Sequence, residues 1–121
     1  MITMSIRRRK GESLYEGLKI YISGPITGTD DYKERFAAAE EHLRSLGAIP
    51  MNPAVLSPGF TWEEYMHICI PMLDVCDAAY FLEGYRDSSG ATAEFLNAYS
   101  KGKRLLYQET DQFWRKDDGN H

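Results

Sequence analysis

The sequence is poor in cysteine. It holds two, Cys69 and Cys76, in 121 residues. Two thiols do not make a disulfide framework, and they fit a reducing compartment as small core residues. They do not make a metal site either. His67, Cys69 and Cys76 lack the three or four convergent ligands that zinc needs, so neither a metal nor a cofactor is expected. No stretch approaches the roughly 18 apolar residues of a membrane span. The opening "MITMSIRRRK" has no apolar signal core, so a cytoplasmic protein with no membrane partner is expected. There is no internal repeat, no low-complexity linker, no G-x-G-x-x-G fingerprint and no P-loop. What remains is ordinary globular composition, 43% apolar and 26% charged, at a length that suits one domain. The net charge is −4, and residues 1–18 carry four basic and two acidic side chains, so the rest is more acidic still. That balance argues against a dedicated nucleic-acid surface, and no nucleic-acid partner is expected. The run Arg7-Arg8-Arg9-Lys10 reads as a solvated arm, with a nucleic-acid contact as the lesser alternative.

Periodicity along the chain alternates between strand and helix. "KIYIS" (19–23) reads as a buried strand, and residues 31–46 read as a helix. Asp30 or Asp31 stands near its N-cap, Phe36, Ala39, Leu43 and Leu46 form its core stripe, and Gly47 marks its stop. "AIPM" (48–51) is a short strand, placed at an edge by Pro50. Thr61 and Glu64 form a capping box for a helix that runs to about residue 75 and contains Pro71, which removes one internal hydrogen bond. Strands at 77–82 and 103–107 flank a helix that starts near Ser88 and ends at Gly102. From "DQFWRKDDGNH" onward a short helical turn and a frayed tail are expected. Read as domains, these are an arm (1–18), a body (19–108) and a tail (109–121). The order β-α-β-α-β-α-β predicts a Rossmann/flavodoxin-like three-layer sandwich with four parallel strands in the order 2-1-3-4.

In such sheets ligands bind beyond the carboxyl ends of the strands. Two loops of small residues fall there. "SGPITG" (23–28) follows the first strand and "DSSG" (87–90) follows the third. Gly24 and Gly28 either serve a tight strand-to-helix turn or let a ligand approach the backbone. In the second loop, Ser88 and the amides near Gly90 can meet a phosphate or sugar oxygen. Glu94, one turn into the helix, points back toward the same place. A carboxylate there either complements the helix dipole or acts on an electron-poor carbon, as a nucleophile or as a stabiliser of an oxocarbenium-like sugar. Trp62 either stacks on a base or packs on the preceding loop. Tyr65, Met66, Met72 and Leu73 read as core. Asp77 caps the strand entry or pairs with a nearby amide.

Taken together and in order, "YISGPITG", "NPA", "TWEEYM", "CDAAYFLEGY" and "SSGATAEFLNAYSKGK" resemble the nucleoside 2-deoxyribosyltransferase-like superfamily, most closely its small, uncharacterised, often phage-borne branch. The resemblance spans about residues 19–106. It implies a nucleoside or nucleotide ligand and chemistry at an N-glycosidic bond, by hydrolysis or transfer. It implies that Glu94, the glutamate of S-x-G-x-x-x-E, attacks the anomeric carbon with Tyr21 close to the substrate. It places Gly24, Gly28 and Ser88 at the ligand; Ser23, Ile26, Asn52, Trp62 and Gly90 are further candidate ligand residues.

Two positions depart from that pattern. Cys69 stands where the enzymes carry an aspartate, and a thiol cannot replace a carboxylate that positions the glutamate or handles the leaving base. Asp74 is five residues on, on a different helix face. Thr27 stands where the monophosphate N-glycosidases carry an arginine. Three function classes follow: an N-glycosidase or deoxyribosyltransferase; a protein that sequesters a nucleotide, such as an ADP-ribose-type signal, without turnover; and an interaction domain with an empty pocket. Apolar residues across 60–73 exceed one core stripe, which predicts a homo-oligomer, dimer or tetramer, packed through the helix 61–75 and the loop before it.

Overall fold

The computed structural model describes residues 14–114, so the Arg7–Lys10 run and the last seven residues lie outside the described part. Four strands are present: β1 (Lys19–Ser23), β2 (Ile49–Met51), β3 (Ala78–Phe81) and β4 (Arg104–Tyr107). They form one parallel sheet in the order β2-β1-β3-β4, as the sequence predicts. Three α-helices connect them: α1 (Tyr32–Ser45), α2 (Trp62–Asp74) and α3 (Ser89–Ser100). Pro50 sits in β2, the edge strand, where a missing amide hydrogen costs least.

Side-chain alternation divides the core into two layers. Ile20 and Ile22 of β1, with Ala78 and Tyr80 of β3, face α1 and its stripe Phe36, Ala39 and Leu43. Leu46, expected in that stripe, is only partly buried because it is the C-cap residue. Tyr21 of β1 and Ala79 and Phe81 of β3 face the other way, onto Cys69 and Leu73 of α2 and Ala91 and Ala98 of α3. Ser23 lies two residues after Tyr21 and shares its face. Both cysteines are free and buried.

Local chemistry sets the element ends. Thr61 and Glu64 form the expected reciprocal capping box at the start of α2. The helix runs through Pro71 to Asp74. Asp31 is the N-cap of α1, but its side chain makes no capping bond. Asp77 accepts a hydrogen bond from the Lys19 amide at 3.0 Å, tying the entries of β1 and β3 together.

After β4, Gln108–Thr110 form a 3-10 turn and the Asp111 side chain is buried behind it; the frayed tail expected further on lies outside the described residues from 115 on. The Asp111 carboxylate accepts from Tyr80 at 2.7 Å, lies 2.8 Å from Nε2 of His42, and also accepts from the Phe113 amide. Trp114 packs edge-on against His42. Polar contacts with β3 and α1 pin a stretch whose own sequence reads as a tail.

Candidate active site

β1 and β3 are neighbours, so the two small-residue loops at their carboxyl ends lie side by side. Between them and α2 opens a cavity of about 440 Å³. That is within the size range of small-molecule sites. Glu94 lies at its inner end. The buried positions of α3 are Ala91, Glu94 and Ala98. The carboxylate thus occupies the middle of the helix stripe that packs on the sheet, with alanines on either side.

A buried carboxylate must be partnered. Here the partners come from β1. The Tyr21 hydroxyl donates to Oε2 of Glu94 at 2.7 Å, and the Ser23 hydroxyl donates to Oε1 at 2.6 Å. Because Tyr21 and Ser23 are two apart on one strand, a single strand face supplies both donors. Each carboxylate oxygen keeps a further lone pair for other contacts. Glu94 is 6% exposed, while Tyr21 and Ser23 are closed off almost entirely. Among the described residues no arginine or lysine pairs with it. Burial pushes the Glu94 carboxyl up to about 7, against the downward pull of the Ser23 and Tyr21 hydroxyls. Tyr21 is held well above its usual 10, first by burial and then by the neighbouring carboxylate. Cys69 adjoins the Tyr21 hydroxyl, and burial raises its thiol as well.

Most of the expected ligand residues converge on this cavity. Tyr21, Ser23, Gly24, Ile26, Trp62, Ser88, Gly90 and Glu94 all line it. Gly28 and Asn52 do not. Gly28 has φ +83°, a left-handed turn between the loop and α1 with open space around it. Asn52 is occupied locally: its oxygen accepts from the Ala54 amide and its nitrogen donates to Glu40. Gly24 does line the cavity, but its bare α-carbon also serves the chain itself. A Cβ there would stand 2.9 Å from Cβ of Leu82. Ser23 spends its hydroxyl on Glu94. Ser88 is the N-cap of α3 and accepts from the Ala91 amide at 3.1 Å, so its own hydroxyl hydrogen is left for a ligand. The first two amides of a helix have no partner within it, and here they belong to Ser89 and Gly90, which also line the cavity.

Trp62 is 48% exposed, with its indole nitrogen 3.7 Å from where a Cβ on Gly90 would stand. It therefore forms wall at the junction of α2 and α3. Tyr65 and Met66, read from sequence as core, are only partly buried and are wall too. Tyr32, Phe36 and Asp87 also line the cavity and were not expected there as ligand residues, Phe36 being read as core. For Asp87 a signal existed: it opens the small-residue loop 87–90.

A model of one protein family matches residues 18–107, which is most of the chain. The chain belongs to this family. It is described as a domain of unknown function, DUF4406. The matched span begins just before β1 and ends with β4, so the sheet, all three helices and every residue at the cavity belong to the shared domain. No curated protein matches the sequence. Among the described residues no helix is long and apolar enough to cross a membrane, and no group of His, Cys, Asp and Glu could hold a metal ion.

Proposed function

We propose that this DUF4406 protein binds a nucleoside or nucleotide and cleaves or transfers at its N-glycosidic bond, with Glu94 as the nucleophile. One observation carries this reading: a buried carboxylate, held on both oxygens by hydroxyls and, among the described residues, unpaired with any cation, in the lining of a ligand-sized cavity. A structural carboxylate would be expected to pair with a cation or to lie in water. The resemblance of S-x-G-x-x-x-E to the deoxyribosyltransferase-like enzymes supports the same role.

In this account one Glu94 oxygen attacks the anomeric carbon as the bond to the base breaks. The sugar is left as an ester on Glu94, which water or a second acceptor then resolves. Tyr21 and Ser23 do not attack. They fix the carboxylate's orientation so that it meets the sugar without first reorganising. The Ser88 hydroxyl and the Ser89 and Gly90 amides face the sugar or phosphate side, and Trp62 offers a surface for the base. With its carboxyl near 7, Glu94 is increasingly a nucleophile above neutral pH.

A second reading is binding without turnover, such as sequestering an ADP-ribose-type signal. Cys69 favours it, because a thiol adjoins Tyr21 where the resemblance implies a carboxylate. A panel of nucleosides, nucleotides and ADP-ribose derivatives separates the two, with free base followed by chromatography and binding by calorimetry. Catalysis predicts base release that falls by roughly 10²-fold or more in Glu94→Gln while binding persists. Heat of binding with no released base supports sequestration. Release unchanged in Glu94→Gln rejects Glu94 as the nucleophile.

A further inference from the structure

The charge of the cavity is one-sided. Among the described residues its lining includes two carboxyls, Glu94 and Asp87, and no lysine, arginine or histidine. Three cations outside the lining are engaged by other groups, Lys33 on the backbone of the wall itself. Lys33 donates to the Ala54 carbonyl, Arg35 to the Glu83 carbonyl, and Arg86 to Glu109. The walls are aromatic as well, with Trp62 half-exposed at the site. Carboxylates without a counter-ion beside an aromatic face favour a cation.

The leaving group sets a second constraint. A neutral base expelled from a neutral nucleoside departs as an anion unless an acid protonates it. Glu94 cannot be nucleophile and acid in one step. Asp87 lies open to solvent. The Tyr21 hydroxyl is donated to Glu94. A substrate whose base nitrogen already carries positive charge needs no acid. As the glycosidic bond breaks, its electron pair passes to that ring nitrogen and the base leaves neutral. The Glu94 carboxylate gains the sugar, and water hydrolyses the ester, returning the carboxylate and a proton.

From this lining and this missing acid we infer that the site takes N-glycosides of a cationic heterocycle, of the N-ribosylpyridinium type, in preference to neutral nucleosides. The inference rests on the N-glycosidic reading above and narrows its substrate class.

The test uses three probes with the full chain: nicotinamide riboside, its reduced dihydropyridine form (nearly the same shape, uncharged) and adenosine. Binding is read by calorimetry and released base by chromatography. The cation should bind roughly tenfold or more tighter than its reduced form, the scale of a partly desolvated cation–aromatic contact. Base release should occur from the cation and be lost in Glu94→Gln. Trp62→Leu, at a half-exposed position in the first turn of α2, should keep its thermal unfolding temperature and lose most of that preference. Glu94-dependent release from adenosine, with no advantage for the pyridinium, overturns the inference and leaves the N-glycosidic reading intact. Failure of all three probes to bind, with a folded protein, overturns the inference and counts against that reading too.

Discussion

Glu94 should cost the fold stability at neutral pH, and replacing it with glutamine should return some. Moving a carboxyl from 4.5 to about 7 disfavours its ionised form in the native state. At about 1.4 kcal/mol per pH unit this amounts to about 3 kcal/mol. The sign follows from which state ionises first. Below about pH 4.5 the carboxyl is neutral in both states and the native protein loses nothing. Between about 4.5 and 7 the unfolded chain ionises while the buried group resists, so stability falls as pH rises, and above 7 the loss is complete. Glutamine has nearly the same shape and does not titrate. It keeps one hydroxyl as donor to its oxygen and disturbs the other contact at a cost of about 1 kcal/mol. Glu94→Gln should therefore be close to wild type near pH 5 and more stable by about 2 kcal/mol at pH 8. For a domain of this size that is a rise in Tm of roughly 8 °C. Thermal unfolding of both proteins at several pH values reads it directly. A Tm difference independent of pH, or a variant less stable than wild type at pH 8, would refute the idea that this carboxylate is buried at a cost.

Two further outcomes test the surroundings of the site. Gly24→Ala should lower stability by about 1–3 kcal/mol in chemical denaturation, because the new methyl would stand 2.9 Å from Cβ of the fully buried Leu82; an unchanged midpoint would show that the loop yields without cost. Phe60 in the loop before α2, and Trp62 and Ile68 on α2, remain 51%, 48% and 38% exposed, and we expect copies of the chain to associate through this segment. Light scattering at micromolar concentration should then give more than the 13.8 kDa monomer, and a monomer alone would remove this proposal.

Much of the fold is legible in local pattern. The strand and helix periods, the Thr61–Glu64 box and Pro50 in an edge strand each act within a few residues, and together they leave little choice of sheet order. Glu94 is legible for a similar reason. It interrupts an alanine stripe that must face the sheet, four residues after Gly90. What was not legible depends on register between distant segments. Nothing near Ser23 says that its hydroxyl meets Glu94, 71 residues away, rather than a ligand. The packing of Leu82 onto Gly24 follows only once β1 and β3 are aligned. Asp111 reads as part of a polar tail because its partners, His42 and Tyr80, lie 69 and 31 residues back. A polar side chain in the sequence does not say whether water or another element will satisfy it.

The bond proposed between Glu94 and the sugar is tested most directly by mass spectrometry of acid-quenched protein. The substrate should be an N-glycoside with fluorine at C2 of the sugar, which slows hydrolysis of a glycosyl ester by destabilising its oxocarbenium-like transition state. The peptide that contains Glu94 should gain the mass of one fluorinated sugar, and Glu94→Gln should show no such gain. Base released at the same rate by Glu94→Gln, or an adduct on any other side chain, would contradict it.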